Sequence, residues 1–209
     1  MTWLILDVDG VLLDAMRGGR GSWKYEFSSR FNVDADELRE AFFEPYWDDI
    51  IVGKRDIVPA LSAALHSLRW DIDVEDALVC WFEADFVPND DVVRKVNDLE
   101  RRGVTLAVAT NQEHLRAAFL KERVAALLPV SGFVYSAEVG FVKSDPRFFA
   151  AAQQQLDLPP DMSRVVFVDD SVANVRSAQE AHWHAVNFGP SFDWREHVEA
   201  FLLPHEFRD

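Results

Sequence analysis

Asp7 and Asp9 are separated by a single residue, follow directly on the apolar run Trp3-Leu4-Ile5-Leu6, and are closed by Gly10. If that run is a buried strand, its two-residue period sends both carboxylates to the same side of the chain as it leaves the sheet. Two like charges so close repel each other and resist desolvation, so such pairs persist where a cation or a proton holds them. A magnesium-dependent site at a strand end is the first reading. An acidic turn capping the strand is the plain alternative, because Asp and Gly are ordinary turn formers.

Comparable groups recur downstream. Thr110 and Asn111 follow the apolar run VTLAVA at 104–109, and Asp169-Asp170 follow VVFV at 165–168. Between them lies Lys143, in Gly140-Phe141-Val142-Lys143-Ser144-Asp145-Pro146. Each has an ordinary use by itself. Thr110-Asn111 and Asp169-Asp170-Ser171 could cap helices, and a lysine is by default a solvated side chain. Their order along the chain, acid pair, hydroxyl and amide, lysine, acid pair, is the order a phosphate site would use.

The elements that must position these groups alternate. Runs at 3–6, 104–109 and 165–168, with weaker ones at 133–135 and 185–188, have strand length and are rich in β-branched residues. Helical patterns fall between them at 91–101, 113–128, 146–156 and 172–182. Gly103 stops the first of these, and Pro146 behind Asp145 opens the third. Strand and helix in alternation predict an α/β fold, a Rossmann-like parallel sheet with helices on both faces. Open sheets of this kind bind ligands outside the carboxyl ends of their strands, so the polar groups converge on one crevice.

Residues 15–87 differ in character. They hold no convincing strand, but apolar residues recur at helical spacing over 34–43, 57–68 and 74–82. The chain therefore reads as a catalytic core of residues 1–14 and 88–209 with an all-helical insertion, residues 15–87, after the first strand. Gly18, Gly19 and Gly21 mark a hinge or a surface turn at its entrance, and Trp23, Trp47 and Trp81 are expected to form its own small core.

With 209 residues, nearly half of them hydrophobic, the chain can bury a substantial core. Its net charge of -15 argues against nucleic acid, which demands a basic track. No apolar stretch approaches the ~18 residues a membrane helix needs, and the N-terminal run meets Asp7 too soon for a signal peptide. Cys80 is the single cysteine, so neither an intrachain disulfide nor a thiolate metal cluster can form, and a cytoplasmic setting fits best. The sequence sets no oligomeric state.

Four motifs in this order resemble those of the haloacid dehalogenase superfamily. They are Asp7-Val8-Asp9-Gly10-Val11, the strand ending in Thr110, Lys143 ahead of Asp145-Pro146-Arg147-Phe148, and the strand ending in Asp169-Asp170. Ser144 departs from the pattern, standing where many relatives have proline. The resemblance implies phosphoryl transfer, with Asp7 as nucleophile and Asp9 as general acid and then general base. Magnesium is expected on Asp7, Asp170, the backbone carbonyl of Asp9 and, through water, Asp169. Thr110, the backbone N–H of Asn111 and Lys143 are expected to bind the phosphoryl oxygens.

Dehalogenases of the superfamily displace halide from carbon and need neither a metal nor an acid two residues after the first. Asp9 with Asp169-Asp170 therefore favours a phosphatase acting on a small-molecule phosphate monoester. A phosphomutase of the same fold and a non-catalytic binding domain are the alternatives, with a metal-free 2-haloacid dehalogenase the weakest. Residues 15–87 resemble a helical cap, in which Lys54 and Arg55 are candidate contacts to the leaving group and Arg17 and Arg20 further ones. Asn174, one turn into the helix after Asp170, reads first as surface polarity and second as a residue orienting Lys143 or a metal-bound water.

Overall fold

Along the first strand, Leu4 and Leu6 face one side and Trp3 and Ile5 the other, and both sides are buried. That is the pattern of a central strand covered on two faces. In the computed structural model, which describes residues 1–14 and 22–203, β1 (Thr2–Leu6) lies at the middle of a five-stranded parallel sheet.

The chain leaves β1 through a tight turn, in which Leu13 N and Gly10 N donate to Val8 O and Leu13 O at 2.9 Å each. Helices follow: α1 (Ser22–Phe31), α2 (Glu44–Ile50), α3 (Ile57–Ser67) and α4 (Val74–Asp85). The chain then returns beside its exit, with Asp14 N bonded to Val87 O and Asn89 N to Leu12 O, both at 2.8 Å. From there the alternation is regular. In order come α5 (Asp90–Arg101), β2 (Val104–Thr110), α6 (His114–Leu127), β3 (Val130–Tyr135), α7 (Ser136–Val139), α8 (Pro146–Gln155), β4 (Val165–Asp169), α9 (Val172–Glu180), β5 (His184–Asn187) and α10 (Ala200–Leu202).

Strand order is β3-β2-β1-β4-β5. Ile5 pairs with Ala107 of β2 and with Phe167 of β4, so the three strands bearing the acidic and hydroxyl groups are neighbours and end together. The face carrying Leu4 and Leu6 packs on α5 and α6 through Val92, Val96, Leu99 and Leu120. The opposite face packs on α8 and α9 through Phe148, Phe149, Val175 and Ala178.

The helical insertion has a third core of its own. Phe27, Phe42, Ile50, Leu61 and Trp81 are buried there, each worth ~1.5–3 kcal/mol relative to exposure. Trp23 and Trp81 pack with ring centroids 5.1 Å apart and Trp47 lies 5.8 Å from Trp81, so the three tryptophans do form this core. Phe119 of α6 packs against both this core and the sheet's.

One local expectation is corrected. The segment 34–43 is not one helix: Asp34 caps a short 3-10 turn, Ala35–Glu37, and a π-helical stretch, Arg39–Phe43, runs on into α2. Helix α1 was not read from the pattern, although Trp23 and Phe27 at i, i+4 mark its buried side. Gly18, Gly19 and Gly21 lie outside the described residues. Among those described, no helix is long and apolar enough to cross a membrane.

Candidate active site

Asp7 is the first residue beyond β1, and its N–H still donates to Val168 O of β4 at 3.0 Å. This ladder bond fixes the backbone, so the side chain leaves the sheet in a set direction. The carboxylate is buried, and its Oδ1 accepts from Val8 N at 2.7 Å and lies 2.6 Å from Lys143 Nζ. Burial pushes the Asp7 carboxyl up to about 7, assisted by the negative charge of Asp169 and opposed by Lys143.

Lys143 comes from the loop between α7 and α8 and is 1% exposed, which a lysine tolerates only when paired. Its ammonium also donates to Asp169 Oδ2 at 2.7 Å. Burial alone would lower its pKa, yet the charges of Asp7 and Asp169 prevail and raise it, so it stays an ammonium. Asn111 holds the loop in place, its Oδ1 accepting from Lys143 N at 2.8 Å. The Asn111 side chain thus has a structural task in addition to the backbone N–H singled out from the sequence.

Asp169 ends β4 fully buried. Besides Lys143, it accepts from Ser171 N at 2.8 Å and from Asn174 Nδ2 at 3.1 and 3.2 Å. Asn174 is therefore not a solvent-facing helix residue: it is 8% exposed and braces the aspartate that braces Lys143. Asp170, by contrast, is exposed. Partial desolvation of its carboxyl by the surrounding protein and the negative charge of Asp169 raise its pKa. Asn187 at the end of β5 donates to both backbone carbonyls of the pair, at 3.2 and 2.8 Å.

Gly10 has φ +79° and faces Asp170 so closely that a Cβ there would lie 2.2 Å from Oδ2. With glycine there, the turn after β1 passes the second acid pair without displacing Asp170. Oxygens of Asp7, Asp169 and Asp170 all lie within 4.8 Å of one another, a spacing at which one cation can be shared. A hard divalent ion such as magnesium suits an all-carboxylate set that leaves room for water and substrate oxygens.

Asp9 turns elsewhere. Its carboxylate is gripped by Arg116 of α6, with Nη1 to Oδ2 and Nη2 to Oδ1 both at 2.8 Å, and by Gln112 Nε2 at 2.7 Å. Burial works against ionisation here, but the Arg116 hydrogen bonds and charge, with Gln112, hold the Asp9 carboxyl below the usual range. Gln112 Nε2 also lies 3.5 Å from Thr110 Oγ1, which is buried at the end of β2. Sequence reading missed Arg116 and Gln112, because no local pattern announces a partner 107 and 103 positions away.

Lys54 and Arg55 are exposed, and among the described residues neither side chain bonds to the groups above. Their N–H groups donate to Asp49 O at 2.8 and 3.2 Å, and the Arg55 guanidinium lies 4.9 Å from the Tyr46 ring centroid. Their loop does meet the sheet domain, since a Cβ on Gly53 would lie 2.3 Å from Ala137 O. Arg17 and Arg20 fall outside the described residues.

The haloacid dehalogenase-like hydrolase family model matches residues 1–182. The chain belongs to the haloacid dehalogenase-like hydrolases. Among solved structures it is similar to a family enzyme from Bacteroides thetaiotaomicron in complex with magnesium and inorganic phosphate. That match has 16% identity and a TM-score of 0.72, and it covers 93% of this chain and 97% of that one. It is also similar to a haloacid dehalogenase phosphatase from Thermococcus onnurineus, with 21% identity, a TM-score of 0.58, and 92% and 88% of the two chains covered. A structure described as a dehalogenase matches at 19% identity and a TM-score of 0.60, covering 97% and 91%. At these identities the likeness shows the shared hydrolase fold. No curated protein gives a significant match.

Proposed function

We propose that this hydrolase is a magnesium-dependent phosphatase acting on a small-molecule phosphate monoester through an aspartyl-phosphate intermediate. The observation that carries this reading is the buried ammonium of Lys143 between Asp7 and Asp169, beside a third carboxylate, Asp170, within cation-sharing distance. Carbon–halogen displacement has no use for that third carboxylate. Phosphoryl transfer does, because an anionic nucleophile must approach an anionic substrate.

Bound magnesium would supply the positive charge that keeps Asp7 ionised and screens the substrate phosphate. Asp7 Oδ1 is occupied by Val8 N and Lys143, and among the described residues no hydrogen bond reaches Oδ2, which is the oxygen left to attack phosphorus. The new bond joins Oδ2 to phosphorus as the bond to the leaving oxygen breaks. Thr110 and the N–H of Asn111 bind the phosphoryl oxygens, and Lys143 offsets charge that builds on them and on Asp7.

Asp9 then serves both half-reactions. Arg116 keeps the Asp9 carboxylate ionised, the form that can take a proton from the water that cleaves the aspartyl phosphate. A bound phosphate adds negative charge nearby, which favours proton uptake by Asp9 and its delivery to the leaving oxygen. Residues 15–87 act as a cap that closes over the crevice formed by the core, residues 1–14 and 88–209, with Lys54 and Arg55 meeting the leaving group.

A panel of phosphate esters with magnesium tests the reading. Release of inorganic phosphate, abolished by chelator, is the expected result. An isomerised sugar phosphate without free phosphate would indicate a phosphomutase, and halide release from 2-haloacids in chelator would indicate a dehalogenase.

A further inference from the structure

Arg116 is a buried cation outside the phosphate-binding groups, 7% exposed in all, on the first turn of α6. It meets Asp9 fork to fork, the geometry that fixes a carboxylate in plane as well as in distance. Gln112, in the loop between β2 and α6, completes the grip: its Oε1 accepts from Arg116 Nη1 at 2.8 Å while its Nε2 donates to Asp9. The Asp9 carboxylate therefore takes three hydrogen bonds from two residues that also bind each other. About half of the Asp9 side chain, 49%, remains exposed beside Gly10, so the grip leaves it open to a reactant.

Both supports are tied to the helical insertion. Arg116 Nη2 lies 3.8 Å from Asp85 Oδ2 at the C-terminal end of α4. Asp85 is itself held by Trp23 N at 3.1 Å and by Trp81 Nε1 at 3.0 Å, two residues of the insertion's aromatic core. On the other arm, Gln112 N donates to Ser136 Oγ at 2.9 Å, and Ser136 Oγ donates to Ile51 O, in the turn after α2, at 2.7 Å. A shift of the insertion over the sheet thus reaches Asp9 along two routes, one through the Arg116–Asp85 ion pair and one through hydrogen bonds at Ser136.

We propose that Arg116, seconded by Gln112, is the positioning residue for Asp9, setting where that carboxylate meets the leaving group and making its placement depend on the seating of the helical insertion. The proposal rests on the phosphatase reading, in which Asp9 acts on the leaving oxygen. Arg116 touches no reacting atom in this role. It acts by holding another side chain within the narrow range of positions from which a proton can be passed.

Positioning and mere structural support differ in their dependence on the leaving group. p-Nitrophenolate departs without a proton, whereas phenolate, of nearly the same shape, benefits from one. Arg116→Met should therefore lower kcat on phenyl phosphate at least about tenfold more than on p-nitrophenyl phosphate, since proton delivery contributes on the order of a hundredfold or more. Arg116→Lys, which keeps the charge but not the fork, should fall between wild type and Arg116→Met on phenyl phosphate. A crystal structure of Arg116→Met should show the Asp9 carboxylate in a different rotamer, with the fold and the Lys143 cluster unchanged.

Equal losses on the two esters, or an Asp9 that stays in place without Arg116, would overturn the proposal. If folded wild-type protein with magnesium cleaves neither ester, the phosphatase reading fails. The Asp9 rotamer in the variant then decides the positioning claim by itself.

Discussion

Lys143 Nζ lies 2.6 Å from Asp7 Oδ1, and both side chains are almost entirely removed from solvent. With Asp169 on its other flank, the ammonium neutralises two carboxylates that would otherwise face each other in a low-dielectric pocket. Removing one member of such a buried set costs ~3–5 kcal/mol. Lys143→Met should therefore unfold at lower denaturant when measured in chelator, and recover part of the difference in millimolar magnesium, whose charge substitutes for the ammonium. Equal losses with and without magnesium would place the metal elsewhere.

Gly10 carries a second prediction. An alanine there would set its Cβ against Asp170 Oδ2 and would also adopt φ +79°, a backbone cost of ~1 kcal/mol. Gly10→Ala should fold, with a modestly lowered melting temperature, while binding magnesium at least ~10-fold more weakly by calorimetry, because Asp170 must move. An unchanged magnesium Kd would remove Asp170 from the metal site.

Asn174 is three contacts from Asp7, through Asp169 and Lys143. Supporting residues of this kind are worth ~10- to 100-fold in metal affinity or activity. Asn174→Ala should lower kcat/KM by that order with little change in the melting temperature. A wild-type rate would mean that Ser171 N and Lys143 suffice to hold Asp169.

Much of this arrangement was legible in the sequence because it is local. A strand's apolar run points to its own end, so Asp7, Thr110 and Asp169 could be located from the six or so residues before each. What was missed is non-local. Nothing near Arg116 announces a carboxylate 107 positions away, and Asn174 looked like helix-surface polarity because its partner is defined by the sheet, not by the helix. The broken helix at 34–43 is a case of tertiary packing overriding a pattern. Leu38 and Phe42 keep helical spacing and are buried, but the backbone between Ala35 and Phe43 tightens and then widens to seat them.

Glu199 gives a pH prediction at a second ion-pair cluster. It is buried, and although burial works against ionisation, ion pairs with Lys95 of α5 and with Arg102 hold its carboxyl below the ordinary glutamate range. A depressed folded-state pKa contributes stability above the unfolded value of ~4.3, and that contribution is lost as pH falls through the folded value. Glu199→Gln should be less stable than wild type at pH 7 by on the order of 1 kcal/mol, Lys95 being partly solvated. The two should converge as the pH is taken below ~4. A gap that persists unchanged into acid would deny the ion pairs their role.

Asp7 is the proposed nucleophile. The direct measurement is magnesium-dependent phosphate release from p-nitrophenyl phosphate by wild type and by Asp7→Asn, with folding of both verified. The expected result is turnover by wild type that chelator abolishes, and a loss of at least about a thousandfold in Asp7→Asn, as for removal of a covalent nucleophile. Wild-type-like turnover by Asp7→Asn would contradict it.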